Sequence, residues 1–129
     1  MSRQKKRALV LDDEQERHDV FASILRNEEV VHCYNFDEVI REMTFGPKFD
    51  IVFLDHDLGT GNSEIADKVG LPYVSGYHIA LFICQDLDKD KRPDRVLIHS
   101  WNDYGAQSME TLFQRSGFQN VVRKRFRSS

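Results

Sequence analysis

The sequence predicts an α/β fold of three layers, in which a five-stranded parallel sheet of strand order 2-1-3-4-5 lies between helices. Two observations support this prediction. Apolar, strand-like runs alternate with segments whose apolar residues recur at helical spacing, which is typical of parallel sheets. Acidic residues directly follow two of these runs, residues 7–11 and 50–54. Ligands of such sheets bind at the carboxyl ends of the strands, so the acidic residues mark a candidate site.

The strands and helices can be assigned along the chain. Apolar runs predict strands at residues 7–11, 30–34, 50–54, 95–99 and 119–124. Helical periodicity predicts four helices, at about residues 14–27, 38–45, 77–86 and 106–114. Asp12 or Asp13 is expected to cap the first helix and Asp37 the second, which Gly46 and Pro47 end.

Residues 59–76 interrupt the alternation of strands and helices. They are polar and rich in glycine, and a connection of this length in a compact domain is usually functional or mobile. We therefore interpret residues 1–129 as a single domain with an inserted loop at about 59–76. We expect this insert to form a wall or lid over a substrate.

Bulk composition allows this fold and adds few constraints on function. The length of 129 residues suits one domain, and the net charge of −3 is too small to indicate nucleic acid or a membrane as a partner. No signal peptide or membrane span is recognisable, so we expect a cytoplasmic location, without membrane or double-stranded DNA as partners. Cys33 and Cys84 lie among apolar neighbours and are expected to be buried thiols. The oligomeric state stays open.

Carboxylates follow the first and third predicted strands, which are neighbours in the predicted sheet. Asp12 and Asp13 follow the first, and Asp55 and Asp57 follow the third. Repulsion between carboxylates packed so closely requires a bound cation or shifted protonation. Oxygen ligands from Asp12, Asp13 and Asp55 suit Mg²⁺ or Mn²⁺, and an added histidine would admit Zn²⁺ or Fe²⁺. The alternative is that Asp12 or Asp13 only caps the first helix.

Two histidines, His56 and His99, are candidates for proton transfer. Each follows or ends a predicted strand, and the two strands are neighbours, so the imidazoles could flank a phosphate as acid and base. The alternative for either residue is a histidine hydrogen-bonded within the core. Asp57 would orient His56 or bind the metal, or it is only a turn residue. The remaining histidines are expected to be structural; they are His18, His32 and His78.

Several cations and neutral donors are predicted near the same edge of the sheet. Lys124 follows the fifth strand and could reach a phosphate, and Arg17 could clamp one or pair with Asp13. Ser100 and Asn102 offer neutral donors to phosphate oxygens. The turn containing Gly105 leads into a helix whose N-terminal amides could face an anion.

Two further features leave their alternatives open. Trp101 could stack on a base or pack beneath the loop. Arg123, Arg125 and Arg127 make the C-terminal segment basic, and such a charge run is usually a solvated face.

These motifs resemble the receiver domain of response regulators over nearly the whole chain. Asp12 and Asp13 match the receiver's metal-binding pair, and Asp55 matches its phospho-acceptor. Ser100 matches the hydroxyl residue after strand four, and Lys124 the invariant lysine of the segment 117–126. The resemblance implies a receiver-like, flavodoxin-like fold, and it implies that Lys124 can pair with Asp55.

Departures from the receiver pattern resemble a divergent branch, the cyclic-phosphate-processing receiver-like family. Receivers rarely follow the acceptor with a histidine and a second carboxylate, as His56 and Asp57 do here, and they do not usually carry the sequence of residues 99–102. The receiver's fifth helix is expected to be missing, because few residues follow strand five. This branch is thought to act on cyclic phosphate ends or related phosphodiesters.

The resemblance leaves three functions in consideration. The first is a metal-dependent phosphodiesterase acting on a phosphate-containing small molecule, such as a cyclic nucleotide, or on a 2′,3′-cyclic-phosphate RNA end. The second is a stand-alone response regulator that is phosphorylated on Asp55 and signals by binding a partner. The third is a catalytically dead nucleotide-binding module that sequesters a signal.

Overall fold

The computed structural model describes residues 5–58, 63–71, 73–100 and 102–124. A parallel sheet of five strands runs through it in the order β2-β1-β3-β4-β5, which confirms the predicted order. The strands are β1 (Arg7–Leu11), β2 (Glu29–Cys33), β3 (Ile51–Leu54), β4 (Arg95–Ile98) and β5 (Val121–Arg123). Leu11 pairs with Leu54 and Leu54 with Ile98, so β1, β3 and β4 end level with one another.

Five helices accompany the sheet in the described residues, one more than the sequence predicts. They are α1 (Gln15–Ile24), α2 (Phe36–Phe45), α3 (Glu64–Val69), α4 (Gly76–Leu81) and α5 (Asp103–Arg115). A π-helical turn, Phe82–Asp86, continues α4, and a 3₁₀ turn, Lys89–Lys91, lies before β4. The described chain stops at residue 124, so the predicted absence of a helix after β5 falls on residues 125–129, outside the described residues.

The additional helix, α3, corrects the prediction that residues 59–76 form only a loop. The Ser63 side chain accepts a hydrogen bond from the Ala66 amide at 3.0 Å and so caps the helix. Gly70 ends it with φ +78°, a left-handed conformation that glycine adopts without strain. The insert at 59–76 is therefore partly helical, and residues 59–62 and 72 lie outside the described residues.

Asp37 attaches α3 to α2 instead of capping α2, so its predicted role was wrong. The Asp37 carboxylate accepts hydrogen bonds from the Ser63 hydroxyl and from the Glu64 amide. Asn35 is the residue that caps α2, since its side chain accepts from the Glu38 amide at 2.9 Å.

The two faces of the sheet are covered by different helices. One face packs against α2, α4 and α5 and holds the larger buried cluster. The sheet contributes Leu9, Leu11, Val52, Leu54, Val96 and Ile98 to this cluster. On the other face, Phe21 of α1 packs against Val10 and Phe53. Because helices in such folds run against the strands, α1, α4 and α5 all begin at the edge where the strands end.

Two further predictions can be compared with the structure. Cys33 and Cys84 are both buried and unbridged, as predicted, and burial raises the pKa of the Cys33 thiol to about 12. In the part of the chain that the structure describes, no helix has the length and apolar character needed to cross a membrane.

Candidate active site

Backbone hydrogen bonds carry the strand pairing one residue beyond β1, β3 and β4 and thereby fix three side chains. Asp12, Asp55 and His99 are the first residues after these strands, and the amide of each donates to a neighbouring strand. The bonds are Asp12 N to Cys33 O (3.2 Å), Asp55 N to Leu11 O (3.2 Å) and His99 N to Leu54 O (2.9 Å). The sheet therefore positions all three residues at one edge, as the sequence predicts.

Asp12, Asp13 and Asp55 form an acidic cluster at this edge. Each offers a carboxylate oxygen, and these oxygens lie within 4.8 Å of one another. Asp12 and Asp55 are buried, whereas Asp13 is exposed. Burial, and next the Asp12 carboxylate, raise the pKa of Asp55 to about 8, and burial likewise raises the pKa of Asp12. All the donor atoms of this cluster are carboxylate oxygens, whose negative charges repel one another. Such a set of donors fits a divalent cation such as Mg²⁺ or Mn²⁺.

Arg17 supplies positive charge to the acidic cluster. Its Nη1 lies 3.3 Å from Asp12 Oδ2 and 3.7 Å from Asp55 Oδ2, and its Nη2 lies 3.6 Å from Glu14. The structure gives no ion pair between Arg17 and Asp13 in the described residues. Arg17 lies in the first turn of α1, the helix that directly follows β1, and this position brings its guanidinium close to the end of β1.

Asp12 has a role at the start of α1, but it is not the capping residue. The N-cap position belongs to Glu14, whose side chain makes no capping hydrogen bond. The Asp12 carboxylate accepts a hydrogen bond from the Glu14 amide at 2.9 Å. Asp12 thus combines the two alternatives of the sequence analysis, since it contacts the helix start and belongs to the acidic cluster.

His56 directly follows Asp55 of the cluster in the chain, and its ring contacts Asp57. His56 Nδ1 lies 2.9 Å from Asp57 Oδ1 and 3.4 Å from Asn102 Nδ2. The shorter contact is to a carboxylate, which can only accept, so Nδ1 carries the hydrogen and, in the neutral imidazole, Nε2 keeps its lone pair. A Cβ built on Gly105 would approach three atoms of the His56 ring to 2.5–2.6 Å, so the ring fits against α5 only because residue 105 is glycine.

His99 lies in a different environment from His56. It is 1% exposed, its Nδ1 lies 3.5 Å from Asp12 Oδ2, and its ring centroid is 5.0 Å from that of Phe21. Burial, followed by the charge of Arg17, lowers the pKa of His99 to about 3. His99 is therefore neutral near pH 7 and supports Asp12 from within the core. The structure brings His99 to the cluster, and its acid–base role stays a prediction.

The predicted donors after β4 and β5 are distributed around the site. Ser100 is buried, and its Oγ accepts from the Asn102 amide at 3.1 Å. Asn102 caps α5 by accepting from the Gly105 amide at 2.9 Å, so α5 begins at Asp103 and not near residue 106 as predicted. Trp101 lies outside the described residues, as do the two arginines at 125 and 127.

Lys124 is exposed and lies in a groove between β5 and α5. The groove has a volume of about 290 Å³, and Ser100, Glu110 and Arg123 are among the residues that line it. Within the described residues, Lys124 makes no ion pair with Asp55, so the cation in contact with Asp55 is Arg17. Arg123 is not merely solvated, because its Nε pairs with Glu110 at 3.0 Å.

Histidine 18 contributes to the site in a way that the sequence analysis missed. His18 Nε2 lies 2.8 Å from the carbonyl oxygen of Asp12, which can only accept, so Nε2 carries a hydrogen. His18 Nδ1 lies 2.6 Å from His32 Nδ1. His18 is buried, as predicted, and it holds the Asp12 backbone in addition. Its position four residues after Glu14, on the inward side of the first helix, was the available signal.

A cleft opens beside His56, and three tyrosines that the sequence analysis did not single out line it. The cleft has a volume of about 350 Å³. Its lining residues are His56, Tyr73, Ser75, Tyr77, Asn102, Tyr104, Gly105 and Ser108. Tyr73 and Ser75 come from the end of the segment 59–76, so part of the insert forms a wall next to the site.

The fold and the strand-end residues define a receiver domain. Three solved structures illustrate the likeness. A response regulator from Burkholderia pseudomallei, described with a phosphorylated aspartic acid, calcium ion and citrate, has a TM-score of 0.64 at 23% identity, over 95% of this chain and 62% of its own. A CheY-like receiver domain from Methylobacillus flagellatus has a TM-score of 0.65 at 16% identity, and the match covers 96% of this chain and 90% of that domain. A signal receiver domain of a putative Luxo repressor from Vibrio parahaemolyticus has a TM-score of 0.64 at 15% identity, and the match covers 96% of this chain and 82% of that domain.

At these identities the solved structures establish the fold alone, and the family comes from the sequence. The cyclic-phosphate processing Receiver domain matches residues 7–115, and the chain belongs to that family. No curated protein sequence matches the chain. The chain spans 62% of the length of the Burkholderia regulator.

Proposed function

We propose that the protein is a metal-dependent phosphodiesterase that opens a cyclic phosphate, in a cyclic nucleotide or at a 2′,3′-cyclic-phosphate RNA end. One observation carries the proposal: Asp55 belongs to the acidic cluster with Asp12 and Asp13, and the next residue is His56, whose Nε2 makes no hydrogen bond among the described residues. Cation ligands and a proton-transfer group at the same place are what phosphodiester hydrolysis requires. Membership of a family named for cyclic-phosphate processing supports the choice of substrate.

The acidic cluster would hold the cation, with Mg²⁺ or Mn²⁺ favoured because its donors are oxygens. A bound cation would draw charge from the phosphate oxygens. Arg17 contacts Asp12 and Asp55 and is only partly buried, so it could turn from the carboxylates to a phosphate oxygen. Arg17 and Ser100 are therefore the proposed phosphate contacts, and Lys124 could reach the phosphate from its groove.

His56 is the proposed acid–base residue. In hydrolysis, water forms a bond to phosphorus, one P–O bond of the ring breaks, and a proton lost by water ends on the leaving oxygen. Nε2 of His56 can take part in this transfer, while Asp57 fixes the ring through Nδ1. His99 would act indirectly, because its burial beside Asp12 suits a neutral support for that carboxylate.

The proposal is tested with Mn²⁺ and a panel of cyclic mononucleotides, cyclic oligonucleotides and 2′,3′-cyclic-phosphate RNA. We expect turnover of at least one member, and a loss of about 100-fold or more in His56→Gln, since general acid–base groups contribute on this order. Gln107→Ala is the matched control, because Gln107 is exposed on α5. Absence of turnover with every member, in protein that retains its fold, would overturn the proposal.

A second candidate function is a stand-alone receiver that is phosphorylated on Asp55. The position of Asp55 after β3 of a receiver fold favours it, and the Burkholderia neighbour carries a phosphorylated aspartic acid. Incubation with acetyl phosphate and Mg²⁺ separates the candidates. A mass gain of one phosphoryl group that is stable in acid, labile in base and absent from Asp55→Asn would support the receiver role.

A further inference from the structure

We propose that the cleft lined by Tyr73 and Tyr104 is a nucleobase-binding subsite, which holds the base of the nucleoside cyclic phosphate named in the proposed function. This inference rests on the proposed function, since it assigns the part of the substrate that lies beyond the phosphate. The evidence is the ring content of the cleft, its position beside His56 and its size.

Two aromatic rings at the cleft are largely exposed. Tyr73 is 70% exposed and Tyr104 is 83% exposed. In the described residues neither hydroxyl makes a hydrogen bond. Among the described residues, the aromatic neighbour of the Tyr73 ring is His78, edge-on at 5.9 Å between centroids. The rings thus contribute little to the core and are available to a ligand, and stacking on such rings is how proteins bind unpaired bases.

The position of the cleft joins it to the acidic cluster. His56 lines the cleft, and the residue before it, Asp55, belongs to the cluster. The amide of Gly76 donates to the His56 carbonyl at 2.8 Å, which ties the start of α4 to this junction. A phosphate at the cluster would therefore place the attached sugar near His56 and direct the base toward the tyrosines.

The size and the polar lining of the cleft suit one nucleoside. Its volume of about 350 Å³ is near the lower limit for small-molecule pockets, which is about 300 Å³. Ser75, Asn102 and Ser108 supply the polar side chains of its lining, apart from His56 and the tyrosines. The Asn102 oxygen is committed to the Gly105 amide and the Ser108 hydroxyl to the Tyr104 carbonyl, so few groups remain to read base edges. We therefore expect stacking to dominate and the preference among the four bases to be small.

The test is a binding measurement in Mn²⁺ on the full chain carrying His56→Gln, which is expected to slow turnover about 100-fold or more. Titration calorimetry compares nucleoside 2′,3′-cyclic phosphates with the abasic ribose 2′,3′-cyclic phosphate. We expect the base to tighten binding about tenfold or more. Adding Tyr104→Ala or Tyr73→Ala should remove most of that difference and leave the abasic ligand unaffected, and Tyr104→Phe should restore it. Phe45→Ala is the control, because Phe45 is also exposed (82%) and ends α2, away from the cleft.

The outcomes distinguish failure of the subsite from failure of the proposed function. Equal affinity for the nucleoside and abasic ligands would overturn the subsite alone, as would tyrosine variants that weaken both ligands alike. No binding of either ligand would overturn the subsite and the proposed function together. Base-dependent binding without turnover by the wild-type chain would support the subsite while contradicting the phosphodiesterase. Turnover of abasic and nucleoside substrates with equal kcat/KM would support the phosphodiesterase and contradict the subsite.

Discussion

At the scale of single residues, Asp55 is the side chain whose charge depends most on its surroundings. Burial and the Asp12 carboxylate raise its pKa from 3.8 to about 8, so the folded chain keeps a proton that the unfolded chain has released. At a pH between these two pKa values, folding is accompanied by the uptake of a proton. The free energy of unfolding therefore falls as the pH rises from about 4 to about 8. Above the higher value, the folded chain carries a buried negative charge that only a cation can offset.

Replacing Asp55 by asparagine should therefore remove this pH dependence. In the absence of metal, we expect Asp55→Asn to melt at a temperature higher than the wild type by about 4 °C or more at pH 8 and to differ little at pH 5. Thermal melts from pH 5 to 9 in chelator provide the measurement. Asp90→Asn is the control, since Asp90 is exposed in the 3₁₀ turn. Equal differences at both pH values would contradict the assignment.

The sequence predicts which residues reach the site better than it predicts their environment. Asp12, Asp55 and His99 are predictable because strand ends fix their backbones, and the parallel order follows from the alternation of elements. The burial of His99 beneath Phe21 and the turn of Arg17 toward Asp55 depend on side-chain packing. Such contacts leave no periodic signal in the chain.

At the scale of elements, two helices press their first turns against the segment that follows β3. A Cβ on Gly76 of α4 would overlap the Asp55 carbonyl oxygen, and one on Gly105 of α5 would overlap the His56 ring. Both glycines are buried and neither has a positive φ, so close approach is what requires them. The helices α4 and α5 thereby fix the geometry of residues 55–56.

Gly105→Ala tests this packing. The new methyl group should displace the His56 ring and break its contact with Asp57, lowering kcat about tenfold or more. Stability should hold or rise, because alanine favours a helix over glycine by up to about 1 kcal/mol. Activity assays, melts and NMR titration of the His56 imidazole provide the readouts, with Gln107→Ala as control. An unchanged imidazole titration would show that the ring tolerates the methyl group.

Helix α3 shows where element prediction failed and why. The polar, glycine-rich composition of residues 59–76 predicts a loop, and the helix has only six residues. Its signals are local: Ser63 in the capping position and Gly70 just past the end. Its attachment to Asp37 joins residues far apart in the chain, which no local pattern reveals.

At the scale of the whole molecule, a cation bound at the acidic cluster would link metal binding to stability. Asp12 and Asp55 come from strands at the centre of the sheet, so a cation that neutralises them binds the folded chain alone. Such a ligand stabilises by about 2.7 kcal/mol at 100 times its dissociation constant. The parallel order β2-β1-β3-β4-β5, which the sequence predicts, is what brings these two carboxylates together.

Saturating Mn²⁺ or Mg²⁺ should raise the melting temperature by an amount on the order of 10 °C, reversibly with chelator. Asp13→Asn should reduce this shift without destabilising the metal-free protein, because Asp13 is exposed and its charge repels Asp12 and Asp55. Asp90→Asn should retain the full shift. Differential scanning calorimetry measures both quantities, and a full shift in Asp13→Asn would exclude this residue as a ligand.

The contact between His18 and His32 has a consequence for tolerance of acid. The Nδ1 atoms of His18 and His32 are 2.6 Å apart, which leaves space for one hydrogen between them. The two Nδ1 atoms therefore cannot both carry a hydrogen while this contact is intact. Burial and the neighbouring His18 lower the pKa of His32 below its ordinary value of 6.5. Because the folded chain then binds the proton less readily than the unfolded chain, the stability that this contact contributes is lost as the pH falls below 6.5. In mild acid, the edge strand β2 should therefore lose its contact with α1 before the central strands of the sheet unfold.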